Sequence, residues 1–221
     1  MSKKTCDRLK KEIIKDIRRT VDALYRMQIV RDFNGIAENK TGTNSIEISY
    51  GGKNYTNNIL YDKHVTSSYV MDKLLNEHQY TVLLYDKSII QSEFCIANDE
   101  LTKERLVFIK KHNQVFTQEE IARADADDEP WFEDEEGIPV FLRIDYDPSS
   151  HVDCKHPVSH LTISNNETCR IPIQDAVTFS EFVRFILYHF YKKELGIQTY
   201  RLNKEKTITQ LEENMMHIGW H

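Results

Sequence analysis

No two of the four cysteines, Cys6, Cys95, Cys154 and Cys169, stand close together, which excludes a zinc ribbon and a paired-cysteine redox centre. No apolar run reaches membrane-spanning length. The basic opening, residues 1–20, holds no apolar stretch of the kind a signal peptide needs. Free thiols, a cytoplasmic location and no membrane association are the expectations. A basic excess is also missing, since 29 Lys+Arg face 35 Asp+Glu for a net charge of −6. A dedicated duplex-DNA binder carries a basic face, so none is expected here; RNA held in a local pocket stays compatible with this balance. Repeats and linker-like stretches are absent too, and residues 1–221 read as one domain.

What is present is enough to fold. A hydrophobic share of 40% supports a real core, and 29% charged residues keep the surface wet. The periodicity implies an α+β domain: an antiparallel β-sheet meander with a long N-terminal helix and C-terminal helices packed on one face. In residues 1–34, Leu9, Ile13, Ile17, Leu24 and their neighbours step at three and four, the spacing of an amphipathic helix. Its basic start opposes the helix dipole, so the charges read as a solvated face. Period-two runs begin at Ser45, Tyr80, Ser88, Leu101, Ile138, Pro157 and Cys169, most of them separated by turn residues. A short helix is expected from Ser68 to His78. Thr178-Phe179-Ser180-Glu181 has the form of a capping box, with Gly196 as the expected stop of the helix that follows. A last helix is expected from Lys204 to Met215.

Residues 117–137 are different. Acids dominate with almost no positive counterweight, which suggests an exposed insertion, and Trp131 inside it is a candidate partner-binding residue.

Residues 138–195 form the candidate functional core. On a strand, alternate residues share a face, so Arg143, Asp145 and Asp147 are expected to point away from Leu142 and Ile144. His156 and His160, four apart in a His-Pro-x-x-His run, share a face if that segment is extended, and Arg170 follows across a polar turn. Converging acids, imidazoles and guanidiniums suit two chemistries. Asp and His can bind a divalent metal that activates water. A histidine near neutral pKa can transfer protons while arginines hold a phosphate. On this reading His160 is the acid–base candidate and His156 its partner or a metal ligand. Asp145 orients or binds the metal, and Arg143 and Arg170 hold the phosphate. The plainer reading is an ordinary cross-strand Arg–Asp pair beside a histidine that satisfies a loop carbonyl. The remaining histidines are scattered and read as structural or exposed.

The run Leu83-Leu84-Tyr85-Asp86-Lys87-Ser88-Ile89-Ile90-Gln91 is similar to an Asp-Gly-Ser hairpin, and the strand at Arg105-Leu106-Val107-Phe108 follows it. Leu142 to Asp147, His156 to Leu161, Cys169 to Pro172 and Phe182 to Leu187 come next in order. From about Tyr80 onward this order resembles an uncharacterised prokaryotic family, domain of unknown function 2290, most specifically between Arg143 and Tyr191. Two departures stand out: Lys87 occupies the hairpin glycine position, and Ile109-Lys110-Lys111 replaces a proline-containing turn. The Arg-x-Asp and Pro-x-x-His elements also resemble small toxins of the TumE type.

The resemblance to families of mobile islands implies a place among toxin and antiphage proteins, and the converging residues point to action on phosphodiesters, RNA in particular. The alternative is a non-catalytic module: an antitoxin, sensor or adaptor bound to a protein encoded nearby, or a phosphate- or nucleotide-recognition domain.

Overall fold

The computed structural model describes residues 7–53, 67–110, 139–163, 169–200 and 206–219. The acidic run 117–137 and Trp131 lie outside them, as does Cys6. Cys95, Cys154 and Cys169 are free thiols.

Helix α1 spans Asp7–Arg26. It stops well before residue 34 because Gln28 takes a left-handed backbone, φ 55°, which no continuing helix tolerates. Val30 to Phe33 then leave as strand β1 (Val30–Phe33). Strands β2 (Ile36–Gly42) and β3 (Ser45–Tyr50) make a hairpin, and helix α2 covers Ser67–Asn76. Strands β4 (Val82–Leu84), β5 (Ile89–Ala97), β6 (Glu100–Lys110), β7 (Val140–Tyr146), β8 (Ser159–Ile163) and β9 (Arg170–Pro172) follow. All pair antiparallel in one sheet, in the order β1-β4-β5-β6-β7-β8-β9, with the β2–β3 hairpin joined to β5 through β3. The expected meander is the spine of the fold; β1 and β2 are additions to it.

Two opposite faces result from the period-two pattern. Ile90, Phe94, Leu106, Phe108, Leu142, Ile144 and Leu161 pack against α1 and against helix α3 (Phe179–Ile186). Full burial of such side chains contributes roughly 1.5–3 kcal/mol each. The capping box of α3 forms as expected: Glu181 N donates to Thr178 Oγ1 at 3.3 Å, and Thr178 N donates to Glu181 Oε2 at 2.9 Å. Asp16 of α1 accepts from Ser180 N at 3.0 Å and locks the two helices together. The helical path continues as a π turn, Leu187–Tyr191, and ends at left-handed Lys192 (φ 53°), not at Gly196. On the other face Ile89, Val107 and Ile109 pack against Met71 and Leu74 of α2.

Within the described residues the expected C-terminal helix is a single turn, α4 (Gln210–Glu213), capped by Thr209 and Glu212. Beyond it the chain returns to the sheet. Ile218 N donates to Pro172 O, and Gln174 N donates to Ile218 O, both at 2.9 Å, in a parallel bridge beside β9. No helix of the described residues is long and apolar enough to cross a membrane.

The turn at Lys87 keeps glycine-like geometry despite the substitution. Its φ is 60°, a region that costs a non-glycine residue about 1–2 kcal/mol. Replacing Lys87 with Gly is expected to stabilise the fold by about 0.5–1 kcal/mol, part of the relief being offset by glycine's greater unfolded entropy. Urea unfolding of the single variant measures it.

Candidate functional site: a guanidinium–histidine face

The sheet register assembles the site. Asp145 of β7 stands opposite Arg105 of β6 and His160 of β8. One row along, Arg143 faces Thr162, and Thr162 faces Arg170 of β9. Residues directly opposite one another share a face, so all six side chains stand on the side away from α1 and α3. Four of the five residues given catalytic or phosphate-holding roles from the sequence, Arg143, Asp145, His160 and Arg170, meet there through register alone. His156, the fifth, precedes β8. It is brought in by a tight loop in which His156 N donates to Val152 O at 2.7 Å, and its ring centroid lies 4.9 Å from that of His160, edge to face.

The face is buried, unlike an ordinary surface pair. Arg143 is 5% exposed, Asp145 9% and His160 1%. Asp145 is held from both sides, accepting at Oδ1 from Arg105 Nε (3.0 Å) and at Oδ2 from Arg143 Nε (2.5 Å). Arg105 was not anticipated. The alternation along β6 fixes its face, but only the β6–β7 register shows that it meets Asp145.

His160 Nδ1 lies 2.9 Å from Pro157 O. A carbonyl only accepts, so Nδ1 carries a proton and Nε2 is the bare nitrogen of the neutral ring. That nitrogen is 3.8 Å from Asp145 Oδ2. Burial pushes the imidazole down to about 4, against the opposing pull of Asp145. His156 is also lowered, first by burial and then by the charge of Arg170. Both rings are therefore neutral near pH 7.

Three buried polar atoms at this end of the face have no hydrogen-bond partner among the described residues: His156 Nδ1, Thr162 Oγ1 and Arg170 Nε. Native interiors leave few such atoms. A cation is a poor fit beside Asp145, because both carboxylate oxygens already accept from guanidiniums. The donor set suits an anion.

Asp147, expected on this face, has another task. Its carboxylate caps the 3-10 turn Pro148–Ser150 and pairs with Lys103 at 3.1 Å. Burial opposes its ionisation, yet hydrogen bonds from Ser149, Lys103 and Ser150 hold it at about 2. Two clefts open elsewhere, on the helical side. Arg19 and Tyr200 line one, Tyr188 and Leu195 the other, and Arg184 borders both.

A family model described as an uncharacterized conserved protein (DUF2290) matches residues 29–220. The match begins far ahead of Tyr80, so it takes in β1 to β3 and α2 as well as the meander. Searches of curated proteins and of solved structures return no match, and the shorter likeness to TumE-type toxins gains no support. With the sheet, α3 and every residue of the guanidinium–histidine face inside the matched span, the chain belongs to the DUF2290 family.

Proposed function

We propose that the chain acts on phosphodiesters, with RNA as the substrate class, as the effector of a bacterial toxin or antiphage system. The observation that carries this reading is the set of unpartnered buried atoms at Arg170, Thr162 and His156 beside two neutral imidazoles. A buried donor left without a partner costs about 1–3 kcal/mol. A phosphate oxygen would satisfy Arg170 Nε and the Thr162 hydroxyl together.

The roles divide by depth. His160 is sealed in the interior, so it supports its neighbour rather than touching substrate. His156 is half-buried, and its lowered affinity for protons keeps it free to accept one. RNA brings its own nucleophile. The 2′-oxygen attacks phosphorus while its proton passes to His156. The 5′-oxygen leaves and takes a proton from solvent, giving a 2′,3′-cyclic phosphate end. Arg170 holds the charge that develops on the phosphate. Arg143 and Arg105 fix Asp145 and set the positive potential behind it.

The test uses purified protein with a labelled single-stranded RNA and a DNA of the same sequence. The expected result is cleavage of RNA only, to cyclic-phosphate ends. His156→Ala should slow it by roughly 10²–10⁴-fold, the usual worth of a positioned acid–base group. Arg170→Ala should mainly weaken binding. RNA bound tightly yet left intact would sink the enzyme reading. The saturated Asp145 and the depth of His160 favour a second reading in that event, a module that recognises phosphate groups without turning them over.

A further inference from the structure

A second cluster lies on the loop that presents His156. His151 and Asp153 project from the β7–β8 connection, and Glu212 projects from α4 about sixty positions later. One ligand atom from each lies within 4.8 Å of the other two. We infer that His151, Asp153 and Glu212 form a binding site for a divalent transition metal, with Zn²⁺ the ion their donor set fits best. The inference is independent of the phosphodiester reading.

Two observations point to a cation site. The first is Glu212, whose side chain is 0% exposed. Its carboxylate accepts from two backbone donors, Cys154 N at 3.2 Å and Thr209 N at 3.0 Å. Among the described residues no lysine or arginine forms an ion pair with it. Buried carboxylates are normally matched by a cation or a metal. The second is His151, whose Nε2 is buried, has no hydrogen-bond partner and lies 3.8 Å from Glu212 Oε1. A buried imidazole nitrogen and a buried carboxylate that face each other without a hydrogen bond are donors that a cation between them would join.

The surroundings hold the ligands in place. Thr209 Oγ1 donates to Asp153 Oδ1 at 2.6 Å, so α4 and the loop are already tied together. Zn²⁺ takes nitrogen and oxygen ligands at about 2.0–2.2 Å, and modest side-chain rotations draw the three atoms to that distance. One imidazole and two carboxylates fill three positions of a tetrahedron and leave a fourth open. The exposed Cys154 thiol borders the group through Asp153 alone, with Sγ 3.7 Å from Asp153 Oδ1. Mixed nitrogen and oxygen donors with a thiol nearby select Zn²⁺ over Mg²⁺ or Ca²⁺, which need six or more oxygens.

Bound metal would clamp the C-terminal turn to the loop that ends at His156.

The test is titration calorimetry of the full, tag-free, chelator-treated chain with ZnCl₂ and with MgCl₂ at pH 7.5, plus visible absorption with Co²⁺. One Zn²⁺ per chain is expected, with no Mg²⁺ heat at the same concentrations. His151→Ala and Asp153→Asn lie outside the core and should each weaken Zn²⁺ by about tenfold or more and abolish the tetrahedral Co²⁺ bands. Glu212→Gln keeps a single accepting oxygen for the two backbone donors, Cys154 N and Thr209 N, so it is read alongside circular dichroism. Absence of stoichiometric Zn²⁺ binding overturns the inference. So does binding that both surface variants retain at wild-type strength, or heat with Mg²⁺ equal to that with Zn²⁺.

Discussion

Acid should destabilise this protein well before its carboxylates protonate, by about 3 kcal/mol between pH 6.5 and pH 4. The source is His160. In the fold its imidazole is pushed from 6.5 down to about 4, chiefly by burial. Between those values the unfolded chain holds a proton that the folded chain refuses. Stability is therefore full above pH 6.5 and falls as the pH drops towards 4. His156 is shifted in the same direction and steepens the loss. Asp147, held at about 2, keeps its contribution until the pH falls below the usual aspartate range, outside this window. Asp16, whose burial raises its carboxyl, titrates with the opposite sign and offsets part of the loss. Urea unfolding at pH 7.5, 5.5 and 4.5 measures the slope. His160→Asn retains a donor for Pro157 O, so it should be less stable at pH 7.5 but clearly flatter with pH. Wild type and variant declining in parallel would show that His160 is not the source.

Asp145→Ala should cost about 3–5 kcal/mol, the usual penalty for removing one member of a buried ion pair. The carboxylate stands between Arg105 and Arg143, whose Nε atoms it accepts at 3.0 and 2.5 Å. Without it, two guanidiniums on adjacent strands face each other with the shared anion gone, and Arg143 is too deep to reach water. For a domain of this size the midpoint of thermal unfolding should fall by roughly 6–20 °C. Replacing both Arg143 and Asp145 with Leu should recover part of the loss, because the charge and its partner leave together. If Asp145→Ala unfolds within a degree or two of wild type, the ion pair is worth little and the face is wetter than its burial implies. Loss of activity in Asp145→Ala would thus report on folding as well as chemistry, which makes the half-buried His156 the cleaner probe.

Periodicity carried the fold reading a long way, and its failures have physical causes. Leu142 and Ile144 inward with Arg143 and Asp145 outward follows from alternation alone. Three strands consecutive in sequence and paired as neighbours then bring Arg143, Asp145, His160 and Arg170 onto one face. The end of α1 was not legible, because Ile29 continues the apolar stripe past Gln28 and nothing in a glutamine announces a left-handed backbone. Strand β1 was lost with it. Arg105 was missed since its partner depends on register, which alternation leaves open. Depth was not legible for a similar reason. A row of charged residues reads as solvated surface, and only tertiary packing decides that Arg143 and His160 are sealed. The His151–Asp153–Glu212 group joins segments far apart in sequence, and no local spacing anticipates it.

The return of the chain at Ile218 has a consequence for how copies of this protein meet. An outermost strand offers a row of unused backbone donors and acceptors, the template on which a second molecule can add its own strand. Here β9 is three residues long, ends in Pro172 with no N–H to offer, and is prolonged by the Ile173–Ile218 bridge. The final turn of chain thus works as an edge guard. It shields this margin of the sheet from intermolecular zippering, so deleting the segment around Ile218 would endanger solubility before it endangered the core.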